Sequence, residues 1–591
     1  MDEIEKPEFS PQKMGWGSDI AAQMLRNLGI KYIALNPGAS YRGLHDSLVN
    51  YLGNRDPQML LCLHEDHVIS IAHGYAKASD QMMASVLHSN VGLFHGLMGI
   101  YNAWCDRMPI LILGATGPVV SEKRRPWIDW IHTSKDQGAV LRNFSKWDDE
   151  PRSMHGIVQS FLRANQIAKT KPSAPVYICL DAGLQEEVLN ESIEIPSVVR
   201  FAPAKDPSPS HEQLQEVVQL LSNAKKPLIL MGRVSRSSTG WEERIRLAQA
   251  LGASVLTSIR ERSAFPTEHP LHVAHPFFWL TAQAKEAVSS SDCILSLDWP
   301  DLNGTIEQTF SDVTQFSGKI IHVSLDSVLH NGWSMDYFAL SPVDVQISSG
   351  VDQFVSNLLP FIEKSTVAKK QAPFLLKQET NLRYSQNVNN EISPHDIEVA
   401  LAKLRGGELF TLAHVTIGWV GDVYHFRDPL DFLGHDGGAG LAAGPGITVG
   451  AALALKDTNR IVVSVLGDGD FVQGVSALWT AAHYKLPALF IISNNRSNFN
   501  DEIHQQTVAK HRNRPVSNRW IGQRIDDPCI DIAALAKAQG VMSEGPVTDL
   551  LNLEDALRRG LDAVRAGQPY LIDVHVKPEY ASAPLSRGKA N

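Results

Sequence analysis

In the run Ile461-Val-Val-Ser-Val-Leu-Gly467-Asp468-Gly469-Asp470, a buried-type strand breaks into a tight acidic turn. Further on, a second apolar run, Ala488-Leu-Phe-Ile-Ile-Ser493, ends in Asn494-Asn495. If the two strands are neighbours in a parallel sheet, Asp468 and Asn495 converge at one sheet edge, where open α/β sheets bind their ligands. A carboxylate, an amide oxygen and a backbone carbonyl are hard donors suited to Mg²⁺, which takes few protein ligands when phosphate oxygens complete its shell. Gly467 and Gly469 let a diphosphate approach the backbone. Alone, Gly-Asp-Gly is a plain strand-ending turn; the Asn pair at this spacing gives it chemical meaning.

A second stretch lies far away. Leu63-His64-Glu65-Asp66-His67 leads into an apolar helical pattern ending Ala72-His73-Gly-Tyr-Ala-Lys-Ala78. A zinc site of the HExxH kind fails because position 68 is Val. Together the two stretches resemble the thiamine-diphosphate enzyme superfamily, whose signature is GDG followed by NN, with a distant HE and GYA. The resemblance implies that Asp468, Asn495 and the Ser497 carbonyl hold Mg²⁺, and that Gly467, Gly469 and Asp470 border the diphosphate. It also implies that Glu65 is the catalytic glutamate, whose carboxyl bonds the cofactor's aminopyrimidine and favours the form that deprotonates the thiazolium C2.

The likeness covers nearly the whole chain and is nearest to the branch of acetolactate synthase, benzoylformate decarboxylase, benzaldehyde lyase and 2-hydroxyacyl-CoA lyase. Asn36-Pro37-Gly38-Ala39 is similar to that branch's substrate loop, and Asn102-Ala-Trp-Cys-Asp-Arg-Met-Pro-Ile110 to its helix-then-strand element. In the glycine-rich run between Asp436 and Gly450, Leu441 is implied to wedge beneath the cofactor and the Gly440 carbonyl to hold its amino group. In this family the first segment of another subunit supplies the pyrimidine site, which implies a homodimer or homotetramer.

Three departures bear on the reaction. The run Arg496-Ser-Asn-Phe-Asn-Asp501-Glu502 lacks the Gly-Met stretch and Trp usual after the Asn pair in acetolactate synthases. His132 falls where many relatives place a glutamine; it either protonates or orients a carbonyl intermediate, or bonds a backbone carbonyl. Asp501 and Glu502 stand where relatives place an acid over the cofactor, with Glu502 favoured as acid/base over the alternative of a solvated helix start. Ser40, His88, Ser89 and His414 fall on aligned loops that could reach a substrate.

Positioning these residues takes several domains. At 591 residues the chain exceeds one core and suggests about three or four. Pro-rich Arg200–Ser210 and the polar stretch from about Pro360 to Ser393 divide it. The expected units are an N-terminal domain over 12–198, a central one over 208–362, a C-terminal one over 390–580, and a tail over 581–591. Each alternates short apolar runs with helical periods, the pattern of a doubly wound parallel sheet, so the fold class is α/β with three such domains.

A net charge of -10 argues against a nucleic-acid backbone binder. The acidic, polar start argues against a secretory signal, and no apolar run approaches the 18 or so residues of a membrane span, so a cytoplasmic protein off the membrane is expected. The five cysteines form no CxxC pair and read as reduced thiols. Around Met231-Gly-Arg-Val-Ser-Arg236, and from Asp326 to Trp333, no flavin or nucleotide fingerprint stands out. FAD, carried by some relatives, is therefore not predicted.

The expected activity is cleavage or formation of a carbon-carbon bond next to a carbonyl, dependent on thiamine diphosphate and Mg²⁺. Decarboxylation of a 2-oxo acid with carboligation comes first, and an aldehyde or 2-hydroxyacyl-CoA lyase second. A reading of another class, a non-catalytic cofactor-binding regulatory subunit, gives no physical reason to retain Glu65, Asp468 and Asn495.

Overall fold

The computed structural model describes residues 4–310, 313–328, 340–364 and 382–579. The tail at 581–591, the middle of the second connecting stretch and the end of the Asp326–Trp333 stretch lie outside the described residues.

Three parallel sheets carry the chain, in agreement with the α/β expectation. The first has six strands in the order Gln58–Leu61, Tyr32–Leu35, Met83–Val86, Ile110–Thr116, Val176–Asp181, Trp147–Asp149. The second has five, ordered Val345–Ile347, Lys319–Val323, Cys293–Leu297, Pro227–Met231, Ser254–Thr257. The third runs Phe410–His414, Ile461–Gly467, Leu489–Asn494, Tyr570–His575, Met542–Val547. The central strands are almost wholly apolar and buried because helices cover both faces of each sheet.

In the third sheet Gly467 pairs in register with Ser493, so the Gly-Asp-Gly turn and the Asn pair leave adjacent strands at the same edge. Asp468 then opens the helix Asp468–Gly474, and Phe499–His511 follows the Asn pair.

One helix pair joins the first and third domains at backbone distance. Glu65–Ser79 packs along Ala443–Leu455, and a Cβ at Gly74 would stand 2.1 Å from the Ile447 carbonyl oxygen. From the other side, a Cβ at Gly446 would stand 1.9 Å from Ser70 Oγ. Glycine lets these helices pack more closely than side chains would permit. Consequently one buried cluster contains Ile71, Ala72 and Tyr75 together with Val449, Leu453 and Phe490.

Glu65 begins its helix because His64 caps it: His64 Nδ1 accepts from the Asp66 N–H at 3.1 Å. The two carboxylates in that first turn sit at the helix's positive end.

Candidate active site

The end of the third sheet opens into a cavity of about 410 Å³, within the range of small-molecule sites. Gly467, Asp468, Gly469, Asn495 and Ser497 line it. The Ser497 N–H donates to Asp468 Oδ2 at 3.2 Å and to Asn495 Oδ1 at 2.9 Å, so two oxygens of the expected metal set face one point of the backbone. Burial pushes the Asp468 carboxyl up to about 6, against N–H donors from Gly469, Arg496 and Ser497 that pull it down. A cation placed there would favour the ionised form.

Asp470 also borders the cavity, and its carboxylate braces the glycine-rich segment. Its Oδ1 accepts from the N–H groups of Ala442 at 2.8 Å and Gly444 at 3.4 Å. Burial raises Asp470 to about 6, and its Oδ2 is buried with no hydrogen-bond partner among the described residues. Leu441 is half exposed on the cavity wall beside Gly440, a bulky apolar group held out where a planar ring could rest.

His414, at the end of its strand, lines the same cavity, and its Nε2 lies 2.8 Å from Asp436 Oδ1. Burial opposes the imidazolium, yet the Asp436 carboxylate outweighs it and holds His414 above its ordinary range. Its Nδ1 is buried without a partner among the described residues. The glycine turn and the oxygen set fit a magnesium diphosphate: Asp468, Asn495 and Ser497 would hold the ion, with Gly467 and Gly469 beside the phosphates.

Glu65 is elsewhere. No residue of its domain lines this cavity. Its Oε2 lies 3.1 Å from His95 Nδ1, and His95 stacks on His64 with centroids 5.1 Å apart. A Cβ at Gly92 would stand 3.1 Å from Glu65 Oε1, so the helix Ser89–Cys105 is kept bare beside the carboxyl. His88 belongs to the same neighbourhood, with Nδ1 2.9 Å from Ser40 Oγ. Burial and the adjacent His132 hold His88 below its ordinary range. His132 stands edge-on to His88 at 4.8 Å, while its backbone carbonyl accepts from the Ser89 hydroxyl. The chain thus carries two half-sites, one with Glu65, His88 and His132 and one with Asp468, Asn495 and Ser497.

Glu502 and Asp501 part company. Asp501 lines the cavity, whereas Glu502 is 1% exposed and does not line it. Ser497 Oγ donates to Glu502 Oε1 at 2.6 Å, and the Arg524 and Arg519 Nε atoms lie 3.1 and 3.3 Å from its oxygens. Its Oε2 is buried with no hydrogen-bond partner among the described residues, while the Ser497 and Arg524 contacts on Oε1 set the acid favoured from sequence against the Ser497 turn; Asp501 is the one of the two that lines the cavity. His95, the Asp436 partner of His414, and the arginine pair on Glu502 carry no local sequence signal that would have marked them.

In the central domain, Asp298 and Asp326 at the sheet's carboxyl edge are tied by Arg233 and Arg107 at 2.7–3.1 Å. This network borders a cavity of about 440 Å³.

Comparison with known proteins gives the family. Three family models match: the thiamine pyrophosphate enzyme N-terminal TPP binding domain over 15–140, the central domain over 214–348, and the C-terminal TPP binding domain over 415–574. The chain belongs to the thiamine pyrophosphate enzyme family and is an enzyme of its acetolactate synthase and benzoylformate decarboxylase type. A probable acetolactate synthase large subunit of Methanocaldococcus jannaschii is 23% identical, over 96% of this chain and 92% of that one. A benzoylformate decarboxylase of Pseudomonas aeruginosa is 24% identical, over 93% and 97% respectively. Among solved structures, benzoylformate decarboxylase from Polynucleobacter necessarius superposes with a TM-score of 0.79 at 21% identity, covering 97% of this chain and all of that one. No helix among the described residues is long and apolar enough to cross a membrane.

Proposed function

We propose that this protein is a Mg²⁺- and thiamine-diphosphate-dependent decarboxylase of 2-oxo acids that also joins the resulting fragment to a second carbonyl. The observation that carries this reading is the meeting of Asp468 and Asn495 oxygens on the Ser497 N–H at the open end of the third sheet. Bound there, the cofactor would supply an electron sink for the carbanion left when CO₂ departs.

The chain's own residues do the rest. Asp468, Asn495 and the Ser497 carbonyl would hold the ion, the Gly440 carbonyl would accept from the aminopyrimidine, and Leu441 would offer it an apolar support. Glu65 would exchange a proton with the pyrimidine, with His95, 3.1 Å from its Oε2, fixing the carboxyl's direction. His132 and His88 orient the substrate carbonyl from the Glu65 side. Asp501 delivers the proton that replaces the lost carboxylate, so that a 2-oxo acid and a proton yield an aldehyde and CO₂. Glu502 positions the Ser497 turn.

Since Glu65 does not line its own chain's cavity, the two half-sites meet by pairing of copies in a homodimer or in the dimers of a homotetramer. The helix beside Glu65 supports this: Val91, Phe94 and Met98 form an exposed apolar stripe, and Trp127 and Trp130 are 68% and 79% exposed nearby in sequence to His132. A cytoplasmic location fits such an enzyme.

The deciding experiment is calorimetric titration of metal-stripped protein with thiamine diphosphate, with and without Mg²⁺, followed by assay of CO₂ from 2-oxo acids. Binding only with Mg²⁺, and CO₂ release, are expected. Aldehyde formation from acyloins or 2-hydroxyacyl-CoA without CO₂ would move the assignment to a lyase, and absence of binding would leave a non-catalytic protein.

A further inference from the structure

The seam between the central and C-terminal domains gathers ligand-type side chains that the cofactor site does not use. His395 and Glu398 lie three residues apart at the start of the helix Pro394–Arg405, so they share a face. The loop that follows the strand Phe410–His414 brings Asp422 to them. One donor atom from each of the three lies within 4.8 Å of the other two, and His395 Nε2 is 3.0 Å from Asp422 Oδ1. None of them lines the cofactor cavity. The central domain abuts this loop: a Cβ at Gly421 would stand 2.7 Å from the Pro276 carbonyl oxygen. Burial opposes the Asp422 charge, but His395 first and His275 after it hold the carboxyl below its ordinary range.

Glu398 is the fixed member of the set. It is fully buried, and its oxygens accept from the N–H groups of Val420 at 3.3 Å, Val423 at 3.4 Å and Tyr424 at 3.3 Å. Carboxylates that bind metals are oriented by outer hydrogen bonds of this kind. All three are longer than the usual N–H···O distance of about 2.9–3.0 Å, so they aim the carboxylate without matching its charge in full. Burial, then the Asp422 charge, push Glu398 up to about 7 against the pull of His395.

Two carboxylates and one imidazolium leave a charge of minus one, whereas two carboxylates, a neutral imidazole and a divalent cation balance. The positive end of the helix disfavours a cation, but it carries only about half a charge against the two negative ones. Mixed imidazole and carboxylate donors suit Zn²⁺ and its first-row neighbours rather than Mg²⁺ or Ca²⁺, which take oxygen shells. A tetrahedral ion with bonds of about 2.0–2.2 Å separates its donors by about 3.4 Å. His395 Nε2 and Asp422 Oδ1 already stand near that spacing, and both side chains are partly exposed and free to adjust.

We propose that His395, Glu398 and Asp422 bind a divalent transition-metal ion of the Zn²⁺ type as three protein ligands at the seam between the two domains. The ion pins the loop whose earlier residues Thr416, Ile417 and Gly418 line the cofactor cavity. This site is separate from the magnesium set around Asp468 and does not depend on the decarboxylase reading.

The test is calorimetric titration of Zn²⁺ into tag-free protein, with Mg²⁺ and thiamine diphosphate in excess throughout. One Zn²⁺ per chain is expected, with a rise in melting temperature because the ion binds only the folded chain. His395→Ala and Asp422→Asn, both at partly exposed positions, should each weaken that binding by about 10² or more while keeping the parent's circular dichroism, since even an outer-shell partner accounts for about 10- to 100-fold. Either variant suffices should the other fail to fold. Asp468→Asn should leave Zn²⁺ binding unchanged, and so should His95→Ala, which disrupts the other partly exposed cluster of His64, Glu65 and His95. X-ray absorption of the zinc-loaded parent should show nitrogen and oxygen neighbours at about 2.0–2.2 Å and no sulfur. Absence of stoichiometric binding, binding unmoved in a folded His395→Ala or Asp422→Asn, binding lost in Asp468→Asn or His95→Ala, or sulfur around the zinc would each overturn the proposal.

Discussion

The backbone N–H of Ser497 donates to Asp468 Oδ2 across 3.2 Å, tying the end of one strand to the turn that follows its neighbour. The proposed metal set is therefore held in shape by the fold itself. Asp468→Asn keeps an oxygen that can accept this bond but removes the charge an ion needs. Circular dichroism and melting temperature should stay within a few degrees of the parent, while Mg²⁺-dependent binding of thiamine diphosphate weakens by about 10² or more. Unchanged affinity in calorimetry would remove Asp468 from the metal set.

Glu65 can be separated from binding. With the diphosphate held in the third domain, Glu65→Gln should still bind the cofactor, because the amide can keep a hydrogen bond to the pyrimidine. Loss of the acid should slow exchange of the cofactor's C2 proton with deuterium by about 10² or more, the range of a lost acid-base group. Proton NMR of quenched samples measures that exchange directly, so the result does not depend on knowing the substrate. His95→Ala should produce a smaller slowing, since it orients the carboxyl at 3.1 Å and transfers no proton itself.

Gly74 tests the joint between domains. An alanine methyl would collide with the Ile447 carbonyl oxygen, a backbone atom that cannot rotate away. Overpacking of this kind costs about 1 to 3 kcal/mol or more. Gly74→Ala should lower the melting temperature by several degrees, and size-exclusion chromatography should show a weakened oligomer. Wild-type melting would mean that the two helices can separate freely.

Acid sensitivity should arise in the central domain. His272 is largely enclosed, with Nε2 2.9 Å from Thr257 Oγ1. Burial first, then neighbours His425, His275 and His269, push its pKa down to about 3. The folded value lies below the unfolded 6.5, so stability is complete above about pH 6.5 and drains as pH falls toward 3, because the unfolded chain takes the proton first. The drop from 6.5 to about 3 corresponds to at most about 5 kcal/mol. The melting temperature should fall between pH 6.5 and 4.5, and His272→Gln should flatten that fall; an equally steep slope in the variant would assign the effect to other groups.

The meeting of Asp468 and Asn495 at one sheet edge was legible because its signal is local. Buried parallel strands read as continuous apolar runs, and glycine, aspartate and asparagine at their ends announce the turn chemistry. Edge strands were harder. Met542–Val547 contains Gly545 and Pro546 and is largely exposed, so neither alternation nor apolarity marks it. The meeting of Phe278 with His435 was invisible for another reason: only domain packing brings that loop beside the glycine-rich segment. The same holds for His95, whose meeting with Glu65 depends on how two helices pack, and no spacing rule predicts it.

Asp501 and Glu502 illustrate the limit most sharply, because adjacent residues in a helix's first turn point about 100° apart. Sequence places both near the cofactor; packing decides which faces it. Glu502, bound by Ser497, Arg519 and Arg524, is structural in this arrangement. Its two arginines remain partly exposed, which tempers the cost of removing its charge. Glu502→Gln should therefore cost about 1 to 3 kcal/mol, seen as a lower melting temperature and weaker cofactor binding. Asp501→Asn should leave melting and cofactor affinity unchanged while lowering kcat by about 10² or more and shifting the pH–rate profile. If the two variants exchange these signatures, Glu502 is the acid that reaches the substrate and the helix must turn on binding it.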